Sequence, residues 1–188
     1  MLYSFENDFQ TVMKMTLLYI LAFACVLGAA VCLVGCKTHG GPIEEATWSR
    51  ADRVEYAFHD SSTAPDYHRS YTIVVTPQTA SISIDSYGTV LLKKTYELTS
   101  GQFQQVLTSL QRLGISSKQS KKVPPASGGT TEVFRLFEGN NELFYGFMDD
   151  SQQLRSTMEV SAESIPEALD SLFPQPIETM IESTRRRN

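Results

Sequence analysis

The side chains best suited to chemistry crowd between residues 59 and 70, a stretch holding two of the chain's three histidines, two aspartates and several hydroxyls. Two kinds of chemistry fit these types. His59, Asp60, Asp66 and His68 together offer a mixed nitrogen and oxygen ligand set for a divalent metal. A serine of this stretch, with His68 and an aspartate, would instead make a nucleophilic triad. Both readings need supporting context that the flanking sequence does not provide. There is no His-Glu-x-x-His pair on a helix and no Gly-x-Ser-x-Gly elbow. The reading the residues favour is a hydrogen-bonded turn of Asp and Ser side chains, with Pro65 fixing the backbone and Arg69 paired to a nearby acid.

Other short motifs are weaker. Asp85, Ser86, Tyr87 and Gly88 form a turn signal that lacks the repeated oxygen ligands of a calcium loop. Gly128-Gly129 has no Lys-Ser/Thr after it, as a phosphate loop requires. Lys118, Lys121 and Lys122 read as the solvated charges of an exposed loop. The formal net charge of −5 and pI near 5.2 argue against a nucleic-acid surface. The expectation is a protein with neither cofactor nor resident metal.

The cysteines carry the sharpest signal. All three, Cys25, Cys32 and Cys36, fall in or at the end of the apolar N-terminal stretch, and no thiol follows Cys36. Lys14 precedes an almost unbroken apolar run from Leu17 to Gly35, the layout of a secretory signal. That run closes on Leu33-Val34-Gly35-Cys36, which resembles the lipobox of bacterial lipoproteins. The resemblance implies that the Cys36 thiol takes a diacylglycerol group and that a peptidase cuts just before it, so residues 1–35 are removed. A small residue before the cut admits the peptidase, and the thiolate is the nucleophile. Glu6 and Asp8 do not suit the start of a signal, so translation from Met13 or Met15 is expected. A retained transmembrane anchor is the alternative, since a run near 20 residues is just long enough to span a bilayer. Lys37, where some Gram-negative lipoproteins carry an aspartate that retains them at the inner membrane, leans by resemblance toward the outer membrane.

The elements that would position any site follow from periodicity. Residues 36–50 read as a tether and 51–188 as one domain. A first strand is expected near Ala51–Phe58. Strict alternation over Tyr71–Thr76 and Thr79–Asp85, split by Pro77-Gln78, predicts an antiparallel pair, with a third strand from Thr89 to Leu98. Thr99 with Gln102 has the spacing of a capping box, and Phe103, Val106, Leu107, Leu110 and Leu113 form a helical stripe ending at Gly114. A second strand pair, Thr131–Glu138 and Glu142–Met148, carries aromatics on both faces and is expected to be central or covered on two sides. A strand near Leu154–Val160, a helix capped by Ser164 and Glu167, and a short helix from Ile177 complete the chain.

A gapless shift of 62 positions lays Leu92–Leu110 over Leu154–Leu172 and Tyr71–Thr76 over Val133–Glu138. This predicts a duplicated hairpin–strand–helix unit, over 70–114 and 131–174. Helices that follow groups of strands indicate an α+β fold, an antiparallel sheet with helices on one face. The functional expectation is a lipid-anchored, non-enzymatic binding module of the bacterial envelope, on the periplasmic face of a membrane. Its partner would be another envelope protein or a ligand, in the manner of an inhibitor, immunity or assembly-accessory protein. The alternative is an envelope hydrolase or metal-binding protein using His59, Asp60, Asp66 and His68.

Overall fold

The computed structural model describes residues 41–61, 64, 67–118, 129–150, 156–160 and 164–185, all within one unit, His39–Asn188. Cys36, the lipobox and Asp66 lie outside the described residues. The elements in chain order are β1 (Gly41–Pro42), α1 (Glu45–Arg50), β2 (Arg53–Asp60), β3 (Ser70–Val75), β4 (Thr79–Ser86), β5 (Thr89–Glu97) and α2 (Gln102–Arg112). Then come β6 (Ser116–Ser117), β7 (Thr130–Glu138), β8 (Asn141–Asp149), β9 (Met158–Glu159), α3 (Ile165–Asp170) and α4 (Ile177–Arg185). The fold is α+β. A six-stranded antiparallel sheet has the order β5-β4-β3-β2-β7-β8, and a small sheet has the order β1-β6-β9.

Alternation decides which side of the large sheet is inside. Val54 and Tyr56 on β2, Tyr71, Ile73 and Val75 on β3, and Ala80, Ile82 and Ile84 on β4 are all buried and join one core. Into that core the helices deliver Trp48, Phe103, Val106, Leu107, Leu110, Ile165, Leu169, Ile177 and Met180. Every helix therefore packs on the same face, and the apolar stripes supply the contact. The core holds no cysteine, so its stability rests on packing rather than disulfides.

Four expectations are corrected. Residues 41–50 are not tether: Gly41-Pro42 pairs with β6, and Trp48 is 4% exposed in the core against Phe134. A buried indole offers too much apolar surface to leave on a flexible link. The cap of α2 is Gly101, at φ 90, rather than Thr99; the Gln102 side chain does reach back to accept the Thr99 N–H at 2.6 Å. Strand β8 is an edge of the large sheet rather than central, and Tyr145 on its outer face is 44% exposed rather than covered. The expected strand near Leu154–Val160 contributes Met158–Glu159 to the small sheet, not to the large one. By contrast, Ser164 and Glu167 do form their capping box, and Gly114 takes φ 63 just beyond the end of α2.

Element order recurs as three strands and a helix, twice, and the shift of 62 places β3 within β7, β4 within β8 and α2 over α3. The second stretch departs from the first in its ladder. Val75 pairs with Ala80, and the equivalent Phe137 pairs with Glu142, but Leu136 then pairs with Phe144. Leu143 is the extra residue of a bulge, and the ladder beyond it slips by one. A slip of one exchanges the two faces. Phe144 and Gly146 thus return to the inward side, like Ile82 and Ile84, while β7 as a whole faces the opposite way to β3, with Phe134 and Leu136 in the core where Thr72 and Val74 face out.

Candidate functional site

The loop singled out by its chemistry is built as a structural clamp. His68, Arg69 and Ser70 are all buried where the chain enters β3. The Tyr87 backbone N–H donates to His68 Nδ1 at 3.3 Å, and His68 Nε2 lies 3.4 Å from Ser70 Oγ. An imidazole that accepts at Nδ1 carries its proton on Nε2 and donates it, so Ser70 Oγ is the acceptor. Ser70 Oγ also accepts the Asp60 N–H at 3.2 Å. A nucleophilic serine needs the reverse arrangement, with a free ring nitrogen taking its proton. His68 is further fixed by stacking on Tyr87, with ring centroids 4.0 Å apart.

Arg69 does not meet the expected acid among the described residues. Its Nε donates to Thr184 Oγ1 at 2.8 Å, Nη2 to the Thr184 carbonyl at 3.2 Å, and Nη1 to the His68 carbonyl at 2.6 Å. Thr184 closes the last turn of α4, where carbonyls lack helical partners and the dipole is negative. The buried guanidinium thus satisfies the helix end and ties it to the start of β3. His59 is placed differently: it is exposed at the end of β2 and lines a shallow depression on the outer face of the sheet. No group of three or more metal-ligating side chains converges among the described residues.

Tyr87 itself is unusual. With Gly88 it forms the two-residue turn between β4 and β5, and both take positive φ, 50 and 83. Such turns suit the twist of a hairpin but favour Asn, Asp or Gly at the first position. A tyrosine there costs about 1–2 kcal/mol in left-handed backbone strain.

A second polar cluster, which sequence reasoning missed, lies on the inner face. The Tyr56 hydroxyl donates to Glu132 Oε2 at 2.8 Å, and the Tyr71 ring lies 6.0 Å away. Burial pushes the Glu132 carboxyl above its ordinary range, against the lowering effect of the Tyr56 hydrogen bond, and the Asp150 charge pushes the same way as burial. Burial also raises Tyr56 and pushes Tyr71 up to about 12. Both phenols therefore stay protonated as donors at neutral pH. Glu132 shares the inward parity of Phe134 and Leu136, which is set by the pairing of β7 with β2.

Among the described residues, no helix covers the outer face of the sheet. Its central row runs Ser81, Val74, Glu55, Arg135 and Tyr145 across five strands; the next runs Ser83, Thr72, Ala57, Val133 and Phe147. Small residues in the second row make the depression, whose lining is Glu55, Ala57, His59, Thr72, Val133 and Arg135. Charges bridge its rim: Arg53 reaches Glu55 at 3.1 Å, Arg135 reaches Glu55 at 3.9 Å, and Arg135 reaches Glu142 at 3.8 Å. Arg135 also lies 5.3 Å from the centre of the Tyr145 ring, and its solvent-shielded Nε has no hydrogen-bond partner. Tyr145, 44% exposed, stands beside Phe147. The arrangement is a short apolar patch bordered on one side by paired charges, able to take a side chain and orient it. Among the described residues, no helix is long and apolar enough to cross a membrane. The chain matches no protein-family model, no curated protein and no solved structure.

Proposed function

We propose that the chain is a lipid-anchored protein of the bacterial envelope, carried on Cys36, that binds another envelope protein through the outer face of its six-stranded sheet. The observation that supports binding is the open face itself. Strands β2, β7 and β8 present Tyr145, Phe147, Val133 and Ala57 in adjacent rows, with Arg53, Glu55, Arg135 and Glu142 along one side. Apolar side chains mixed with charges are ordinary in protein interfaces, and Tyr and Arg are the residues that anchor them. The reading of His68 as a catalytic base loses support because both its ring nitrogens are engaged within the fold. Tethering to a membrane raises the effective concentration against partners at the same surface, so modest affinity suffices.

The test is capture of the full chain from detergent-solubilised membranes, with intact mass of the product. The expected result is a chain beginning at a lipidated Cys36 and holding one stoichiometric partner. Cys36→Ala should abolish the lipid, and Arg135→Glu with Tyr145→Ala should release the partner while the buried Trp48 keeps its emission. A lipid-free native product would overturn the anchor, and a partner indifferent to the outer-face substitutions would overturn the assignment of the surface.

A further inference from the structure

We infer that the far edge of β5 pairs antiparallel with the same edge of a second copy of this chain, with Thr95 on the two-fold axis. The large sheet ends on β8 and on β5, and the two ends are finished differently. Residues 156 and 157 close over β8. The Thr157 N–H donates to the Phe147 carbonyl at 2.9 Å, the Phe147 N–H to Thr157 Oγ1 at 3.1 Å, and the Asp149 N–H to Ser156 Oγ at 2.9 Å. Among the described residues, no backbone hydrogen bond reaches the far side of β5. Thr89, Val90, Lys93, Lys94, Thr95 and Glu97 are exposed along it. A strand of 9 residues with one side unpaired is a template for another strand.

Charge decides which strand fits. Lysines on an edge ordinarily deter pairing, and Lys94 even carries inward parity, beside Ile82 of β4. A two-fold axis between antiparallel strands stands normal to the sheet, so only residues of the same face meet across it. The regular stretch from Leu92 to Leu98 lies beyond the bulge at Leu91, where Ile84 pairs with Leu92 but Asp85 with Val90. If Lys93 or Lys94 stood on the axis, it would meet its own copy, like charge against like. With Thr95 there, Lys93 meets the second copy's Glu97 on the outer face, and Lys94 meets the second copy's Tyr96 on the inner face. Both contacts occur twice. With Tyr96 on the axis, Lys94 would instead lie against Leu98. Thr95 is therefore the axis that gives each lysine an acid or an aromatic ring.

The same register brings Leu92 against Leu98 at either end, and both already pack on the core. Among the described residues, no ion pair within the chain engages Lys93, Lys94 or Glu97, so the contacts between copies break none. Because β8 is closed over, each copy offers one such edge, and the assembly stops at two. The joined sheet carries both outer faces on one side. The pairing thus leaves the proposed partner surface open and rests on neither that surface nor the lipid anchor.

The experiment measures the mass of the full chain by sedimentation equilibrium in density-matched non-ionic detergent, across the micromolar range. The expected result is a dimer in equilibrium with monomer. Lys93→Glu alone, or Glu97→Lys alone, should weaken the dimer on the order of tenfold by setting like charges opposite, and the two together should restore it. Emission of the buried Trp48 reports that each variant is folded. Independently of those variants, Thr95→Cys should oxidise to a dimer joined through position 95, located by peptide mass, while Lys93→Cys should not join through position 93. A chain monomeric throughout, a dimer indifferent to the charge reversals, a link between two positions 93, or a link from position 95 to a different protein in whole membranes would each overturn the inference.

Discussion

Gly146 gives the most demanding test of the packing between the two sheets. It lies on the inner face of β8, where the repeat has Ile84 in its first copy, and it is the site on which β9 rests. A Cβ built there would stand 2.7 Å from the Met158 Cβ, 2.9 Å from its Sδ and 3.0 Å from Phe144 Cε1. The Met158 Cβ is rigidly attached to the β9 backbone, so the strand itself must move in a Gly146→Ala chain. Overpacking of this kind costs about 1–3 kcal/mol. Against it, replacing glycine restricts the unfolded chain and returns about 0.4–1 kcal/mol. The net expectation is destabilisation by about 1–2 kcal/mol. Met158→Ala alone should cost about 2–5 kcal/mol, since the side chain is fully buried. The Ala Cβ at 158 still opposes position 146, but without the sulfur the segment can settle, so part of the clash is relieved. The double variant should therefore be more stable than the sum of the single effects by about 1 kcal/mol or more. Urea unfolding followed by the lone Trp48 measures all four corners of the cycle. A Gly146→Ala chain as stable as the parent, or strictly additive effects, would refute the contact between β8 and β9.

Three further outcomes are expected. Glu132 binds its proton more tightly in the folded chain than in the unfolded one, so its contribution to stability is full below the ordinary glutamate range and is lost as pH rises through its raised value. Glu132→Gln should flatten that fall in a pH series of urea midpoints, and an unchanged slope would remove the burial of this carboxyl from the account. Arg69→Ala should cost about 2–4 kcal/mol, because charged donors to Thr184 and His68 are lost inside the fold, and hydrogen exchange should rise first in α4; protection of α4 equal to the parent would contradict the clamp. Tyr145→Ala should shift stability by no more than about 0.5–1 kcal/mol, the worth of an exposed cation–π contact, while reducing partner capture severalfold; a large stability loss would mean that the outer face is structural.

Much of the fold was legible because alternation and helical stripes report directly on burial. The pattern Tyr71, Ile73, Val75 against Ala80, Ile82, Ile84 identifies a hairpin with one inward face, and the ladder joins those same residues in pairs. What the pattern could not contain is the bulge at Leu143, because one extra residue in a ladder leaves no mark on composition. β7 also faces the opposite way to β3 along its whole length, with Arg135 outward where Ile73 points inward, and that facing is set by its pairing with β2. The small sheet was hidden as well: Met158 fills the space that Gly146 leaves, and that relation joins residues far apart in the chain.

The site was less legible than the fold, and the reason is physical. Residue types at 59–70 report what chemistry is available, but whether it is used depends on where the ring nitrogens and hydroxyls are spent. His68 spends both nitrogens on the backbone of Tyr87 and on Ser70, and Arg69 spends its fork on Thr184 and His68. A reactive-looking segment is thereby converted into a fastening that joins the hairpin turn to the last helix. The outer face presents the converse case. Ala57, Thr72, Val133 and Arg135 carry no motif, and alternation assigns them only to the side away from the core. Their significance arises because all four helices are committed to the inner face, where every apolar stripe is already used. No further helix in the described residues remains to cover the other side, so the open sheet is a consequence of where the chain spent its apolar surface.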